Sequence, residues 1–494
     1  MGTAAGYAYR MDAADTVPGV PALAGARPVY GPTPAVLRGV TGAPAARIGT
    51  PGRLAQFQMA QRAAAVSGAL RHVDDDRWFA VFAQAGRNLL AALDGAGAAL
   101  DARPSAATGT APPDIAALTV AASAVTGLPI ARVRHGMATV AQDLLRIPEI
   151  LAAQAPDGSL AVYRTGVVAG RRWQWRPAGR SVYLRVPANF PTITIEWLQA
   201  LAARRPVLLG TTGDPVTSYL LADALYRAGL PDGAISVCHR DSETLLRLAD
   251  QVLWPGPQPP AGLRPGTVKT YHAGRSKAVL TTAGTDAVFA RLARMASRGC
   301  GRLCTNLSAL AVTADAAAAA DQLATHLTAP VRALGDPAAT VPAFPDRGVR
   351  DDIVTRIECE LAAGAVDVTA QLTGVPLRVE VDGAEFLRPT VLLVDADSPL
   401  WGEELPFPFV TVAQVPRSRL RQACDGSLIV AVPDGSADLI AQFADEPGID
   451  KVFAGAAFDH EYDPAEPHAG YLADFLFRKK LVLGAGGAHL ERRR

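Results

Sequence analysis

Apolar and polar positions change their period several times along the chain, and each change marks a new set of elements. From Leu54 to Leu70 and from Arg77 to Leu93, apolar residues recur every three or four positions, which predicts two helices. Further helices are predicted to start at Ile115 and to run from Met137 to Ala153. Between Leu160 and Gly179 aromatic, apolar and basic residues alternate (Val162, Tyr163, Val167, Trp173, Trp175), the signature of a hairpin or edge ribbon that pairs with another subunit. A regular series follows: strand Val182–Val186, helix Ile195–Ala203, strand Val207–Leu209, helix Thr217–Ala228, strand Ala234–Cys238, helix Glu243–Ala249, strand Gln251–Trp254. Strands alternating with helices at this spacing predict a parallel, doubly wound sheet, whose ligands bind at the carboxyl ends of the strands.

A second α/β set is predicted from Ala278 onward. It includes an Ala-rich helix at Ala314–Leu327, a helix at Asp352–Ala363, and strands at Val391–Val394, Phe409–Val412 and Leu428–Val432. Leu472–Leu483 alternates basic and apolar residues and reads as another exposed strand. Residues 1–52, rich in Ala, Gly and Pro with little periodicity, read as an irregular arm that lies over the body or is partly disordered.

Composition narrows the partners. With 494 residues, 49% hydrophobic and 19% charged, the chain is long enough for two or three structural units. Lys+Arg 48 against Asp+Glu 47 gives no nucleic-acid footprint and no polybasic membrane surface, and no apolar run reaches membrane-spanning length. The expected partner is a small molecule or a protein. Five scattered cysteines argue against a disulfide framework and for a reducing, cytoplasmic compartment, and no Cys/His spacing points to a metal.

The chemistry centres on Gly299 to Leu310, where small residues set Cys300 and Cys304 in a turn between a helix-spaced segment (Val288, Leu292, Met295) and the strand-like run Leu307 to Val312. A thiol at such a junction lies near backbone N–H groups that favour thiolate and serve a developing oxyanion. Taken alone, the stretch reads rather as two small buried hydrophobes, the commoner fate of a free cysteine.

Four separated stretches raise the first reading. Pro187-Ala188-Asn189-Phe190-Pro191 with Trp197 and Ala200-Leu201-Ala202 resembles the P-W-N-F-P…W…A-L-A pattern of the aldehyde dehydrogenase superfamily. Ala228-Gly229-Leu230-Pro231-Asp232-Gly233 is similar to its A-G-L-P-x-G turn. Phe386-Leu387-Arg388-Pro389-Thr390, followed by Glu403-Glu404-Leu405-Pro406-Phe407-Pro408, resembles F-x-x-P-T…E-E-x-F-G-P, and Gly301-Arg302-Leu303-Cys304 stands where that family has G-Q-x-C. The resemblance covers residues 160–480.

It implies a fold of two doubly wound α/β domains plus an oligomerisation ribbon. Residues 53–159 and 180–274 would form the nicotinamide dinucleotide domain, 275–470 the catalytic domain, and 160–179 with 471–494 the ribbon of a homodimer or homotetramer. It further implies that Cys304 is the nucleophile, with the Asn189 amide and the Cys304 backbone N–H as oxyanion hole; read by itself, Asn189 is a turn former. Glu404 would hold the nicotinamide ribose, with Phe190 and Gly256 beside the cofactor. Cys300 falls on a non-matching position and reads as packing.

Departures from the pattern matter more for function. His272 replaces the glutamate of E-L-G-G-K that activates water in the hydrolytic members, and a missing glutamate is typical of the thioester-forming branch. His272 reads either as a substitute base or as a polar loop residue. Leu209-Gly210-Thr211-Thr212 replaces K-P-S-E, so the lysine on the adenosine ribose is absent and Thr211 or Thr212 would supply hydroxyl contacts. Trp254-Pro255-Gly256-Pro257 replaces F-T-G-S, and its prolines remove backbone donors. Pro467-His468-Ala469-Gly470-Tyr471 replaces P-F-G-G and either presents His468 or Tyr471 to the acyl tunnel or simply turns the chain.

The reaction expected from the sequence is NAD- or NADP-dependent interconversion of an aldehyde and an acyl thioester, on CoA or an acyl carrier protein, through a thioacyl-Cys304. The alternatives are oxidation of an aldehyde to a free acid, and a catalytically silent scaffold.

Overall fold

The structure is a computed structural model, and it describes residues 17–95, 112–256 and 258–482. Two seven-stranded sheets organise the chain. In the first, five parallel strands run in the order Val268–Tyr271, Gln251–Pro255, Val182–Val186, Val207–Thr211, Ile235–Cys238. Ala22–Ala24 and Arg27–Val29 extend it antiparallel. In the second, six parallel strands run Thr390–Leu393, Phe409–Gln414, Leu307–Val312, Ser276–Leu280, Ser427–Val432, Ile449–Ala454, with Val366–Asp367 antiparallel at one edge. The central strands are apolar on both faces, as parallel strands covered by helices on each side must be; Val207–Thr211 and Leu307–Val312 are buried throughout.

The helical front end packs onto the first sheet rather than standing apart. Asp75–Leu93 buries Trp78, Phe82 and Leu89 on one stripe, and the Trp78 indole N–H donates to Ala202 O at 2.8 Å. Arg204, itself buried, donates to Asp75 at 2.6 Å and stacks 5.1 Å from the Trp78 ring, so the helix is tied to the sheet by charge as well as by apolar area. Gly86 lets the Ile130–Leu145 helix approach closely, because a Cβ there would sit 2.5 Å from Ala141 O.

Two expectations are corrected. Residues 1–52 are not an irregular arm where the structure describes them. Val20, Leu23, Ala46 and Ile48 are buried, and Gly19–Val20, Ala35–Arg38 and Pro44–Ile48 form a small sheet of their own. Strands of two to five residues are too short to show a period; Ala22–Ala24 is buried beside Ile235–Cys238, and Pro44–Ile48 against the Ile115–Thr126 helix. Residues 1–16 lie outside the described residues.

Leu160–Gly179 is a ribbon only in its second half: Ala161–Thr165 is a helical turn closed by Gly166 at φ 71°, Val167 makes a single antiparallel bridge to Gln174, and Trp173–Pro177 is the one strand. Its partner is Phe477–Leu481. The aromatic residues that suggested alternation are drawn together instead, with Trp175 stacked 4.4 Å from Phe477 and Tyr163 5.4 Å from Trp175. At the far end, Leu472–Leu476 is helical before that strand begins, and residues 483–494 lie outside the described residues.

Among the described residues no single helix is long and apolar enough to cross a membrane.

Candidate active site

The turn carrying the cysteines is built by close backbone approaches. The Asp286–Ser297 helix buries Phe289, Leu292 and Met295, then the chain bends through Gly299, Cys300 and Gly301 at φ 51°, 61° and 77°. Gly301 is required: a Cβ would lie 2.3 Å from the Phe407 carbonyl carbon. On the other side Gly274 lies so close that its Cβ would overlap Cys304 O at 1.6 Å.

Arg302 pins the turn. Its buried guanidinium donates to Thr126 O (2.6 Å), Ala343 O (2.8 Å) and Pro406 O (3.3 Å), and burial pushes its pKa down to about 10. Asn306 adds amide bonds to Ala296 O and Arg298 O, each 2.8 Å. Cys304 thus projects from a turn fixed at both ends, at the start of the Leu307–Val312 strand.

One cavity of about 1140 Å³ brings together Cys304, Asn189, Phe190, Gly256, His272 and Glu404. Asn189 follows the Val182–Val186 strand; its amide makes no hydrogen bond to a described residue and is free for a ligand. Phe190 is buried at the wall. Glu404 accepts the Gly274 N–H at 2.5 Å, and burial raises its pKa while that bond opposes the rise.

His272 is exposed on the cavity rim with Nε2 3.2 Å from the Thr270 hydroxyl. Of the two threonines, Thr211 is corrected as a cofactor contact. It is 1% exposed, and its hydroxyl is spent on His239 Nδ1 at 3.1 Å. Thr212 is exposed at the end of the same strand. Pro257 lies outside the described residues.

The histidine at the sulfur is not His272. His468 Nε2 lies 3.0 Å from Cys304 Sγ. Burial pushes the Cys304 thiol up to about 12, with the Glu404 and Glu196 carboxylates raising it further and Lys451 opposing. Burial, with Lys451 and Lys269, pushes His468 down to about 3. The resting pair is therefore a neutral thiol and a neutral imidazole in contact. Cys300 is 2% exposed, its thiol is pushed up to about 11 by burial, and it packs in the core, as expected of it.

Sequence reasoning missed Glu196, the residue before Trp197. It is 5% exposed yet reaches the cavity wall, where it accepts the Tyr271 hydroxyl at 2.6 Å. Nothing local marks it, since a glutamate beside an apolar helix face looks like a solvated position. Among the described residues no group of three or more His, Cys, Asp or Glu is placed to hold a metal ion.

No family model matches the chain, and no curated protein does. Solved structures do. Aldehyde dehydrogenase 21 from Physcomitrella patens, in complex with the reaction product succinate, matches with a TM-score of 0.72 at 14% identity, over 96% of this chain and 100% of that one. The aldehyde dehydrogenase KauB from Pseudomonas aeruginosa matches with a TM-score of 0.72 at 16% identity, over 93% and 95%. An NAD-dependent benzaldehyde dehydrogenase from Corynebacterium glutamicum matches with 0.70 at 16%, over 93% and 97%. The two-sheet α/β architecture is that of the aldehyde dehydrogenase fold.

Proposed function

We propose that the chain is a nicotinamide-dependent aldehyde dehydrogenase that oxidises an aldehyde to a carboxylic acid through a thioacyl-Cys304. The observation that carries this reading is the Cys304–His468 contact at the wall of a cavity shared with Asn189 and Glu404. A nucleophile, a base and an oxyanion donor converge there.

Cys304 attacks the aldehyde carbon as its proton passes to His468 Nε2. The Asn189 amide and the Cys304 backbone N–H serve the carbonyl oxygen as it gains charge. NAD or NADP, when bound, takes up the hydride. The residues present fit that group at its nicotinamide end, where the Glu404 carboxylate suits a ribose diol and lines the same cavity as the sulfur. At the adenosine end Leu209, on the position of the missing lysine, is fully buried, and the exposed Thr212 would have to give up its bond to Val186 O at 3.1 Å to serve a ribose. Water then releases the acid, with histidine as its base in place of the glutamate absent at 272.

Release by a thiol, giving an acyl-CoA or an acyl-carrier thioester, is the second reading, favoured by the exposed His272 where a carboxylate would otherwise stand. The deciding experiment follows reduced-cofactor absorbance with a panel of aldehydes, NAD or NADP, and CoA present or absent, and identifies the product by mass. Free acid without CoA supports the reading; turnover that requires CoA and yields acyl-CoA transfers the chain to the thioester branch. Absence of both turnover and dinucleotide binding leaves a silent scaffold.

A further inference from the structure

We propose that Glu196 is the terminal proton acceptor of this site, receiving the Cys304 proton through His468 and one water. The inference rests on Cys304 being the nucleophile, and it identifies the carboxylate that takes over from the glutamate absent at 272.

Three observations support it. His468 Nδ1 and Gln199 Nε2 are both buried without a hydrogen-bond partner. Both residues line a side cavity of about 10 Å³ that Glu196 and Tyr271 also line. That is room for the centre of about one water, and the walls supply the two to four polar partners a buried water needs. The relay uses the tautomer in which the thiol donates to Nε2, and in it the imidazole proton sits on Nδ1. Its donor therefore belongs to the side cavity, and left unmet it costs about 1–3 kcal/mol.

The transfer balances. As the Sγ–C bond forms, the Sγ–H bond breaks and its proton goes to Nε2. The Nδ1 proton goes to the water, which passes one of its own to the Glu196 carboxylate. The imidazole ends neutral in its other tautomer, and the negative charge has moved from Glu196 to the substrate oxygen. After Glu196 hands its proton back through the water to Nδ1 and Nε2 gives up its own to solvent, the resting tautomer is restored and the same path serves release: the attacking water forms its bond to the acyl carbon, its proton goes to Nε2, and the C–S electron pair returns to sulfur.

Burial holds the Glu196 carboxyl above its usual range, which makes it a stronger acceptor, while the Tyr271 hydrogen bond acts against this. The groups around it are Tyr271 and Lys269 of Val268–Tyr271, Lys451 of Ile449–Ala454, and Tyr462, Glu466 and His468 of the loop that follows. Glu404 also acts on Cys304 through its charge.

The test needs neither aldehyde nor cofactor. The full chain is alkylated with iodoacetamide from about pH 5 to about pH 10, and the rate at Cys304 is followed by peptide mass, because Cys359 is exposed and reacts separately. A relay gives the native protein a shoulder of reactivity near neutral pH, below the titration of the thiol itself. Glu196→Gln keeps the size and an acceptor for Tyr271 but cannot take the proton, so the shoulder falls by about tenfold or more while the alkaline limb stays. If Glu196 acts only through its charge, its removal lowers the thiol pKa and raises the neutral rate, and that opposite sign overturns the proposal.

His468→Phe also loses the shoulder, and the double variant loses no more than either single one; additive losses overturn it. An alkaline limb and a denaturant midpoint unchanged in Glu196→Gln guard against a variant that misfolds. In the native protein the shoulder rate bends with deuterium fraction when more than one proton moves; a straight line overturns the proposal. A shoulder without aldehyde turnover sinks the dehydrogenase reading and leaves the relay. Turnover without a shoulder does the reverse.

Discussion

Cys304 and His468 meet at 3.0 Å from positions 164 residues apart, one on the turn before a central strand and the other on the loop after an edge strand. No other imidazole is within hydrogen-bonding distance of the sulfur among the described residues. Which of the cavity histidines meets the sulfur is therefore decided by the loop, not by the motif that His272 occupies.

His468→Phe is expected to lower kcat by about 10²–10⁴-fold, the usual contribution of a general base, with KM little changed. His272→Ala, which gives up one rim contact to Thr270, is expected to keep activity within about tenfold. Steady-state kinetics of the two variants on one aldehyde check both, and a reversed order returns the base role to His272.

Arg302 ties the cysteine turn to three other segments through carbonyls alone, with no carboxylate at hand. Arg302→Leu leaves these buried acceptors without that donor and is expected to cost about 3 kcal/mol or more. Arg302→Gln, which keeps one amide donor, is expected to fall between. Denaturant unfolding of the three proteins measures the order, and kcat should follow it because the same turn carries Cys304.

The Trp173–Pro177 and Phe477–Leu481 pair ends in exposed Leu481 (61%) and Val482 (49%), apolar groups on a two-stranded ribbon with open edges. A homodimer or homotetramer assembled through this ribbon is expected. Light scattering at micromolar concentration reads the mass, and Trp173→Glu with Leu481→Glu should shift it toward the monomer.

The parallel strands were legible because burial on both faces leaves continuous apolar runs: Leu307–Val312 and Val182–Val186 fall where the pattern puts them. The cavity residues on short motifs were legible for another reason. Asn189, Cys304 and Glu404 each sit at a strand end or tight turn, where spacing along the chain fixes position in space. What escaped depends on distant segments closing over one another. Ala22–Ala24 has no period of its own and is set by the sheet edge it caps. Thr211 ends a strand buried along its whole length, and its hydroxyl answers to His239, from the loop after the next strand. Glu196 looks solvent-facing until Val268–Tyr271 brings the Tyr271 hydroxyl against it.

His239 carries a pH dependence of its own. It is 4% exposed, with Nε2 2.9 Å from Pro21 O, and burial pushes its pKa from 6.5 down to about 4. The folded chain thus refuses a proton that the unfolded chain accepts between those values, so protonation pulls toward the unfolded state. The stabilisation is fully present above about pH 6.5 and is lost as the pH falls toward about 4, to a total of about 3 kcal/mol. Asp143, raised to about 6 by burial, works in the opposite direction over much of this window, and His468, lowered to about 3, in the same direction, so the native curve alone does not isolate one residue. His239→Gln keeps a hydrogen-bonding side chain and removes the titration. Unfolding free energies of both proteins at pH 7 and near pH 4.5 should show the native chain losing about 2–3 kcal/mol more than the variant. Parallel losses would mean that His239 is protonated in the fold and that its bond to Pro21 O survives the added charge.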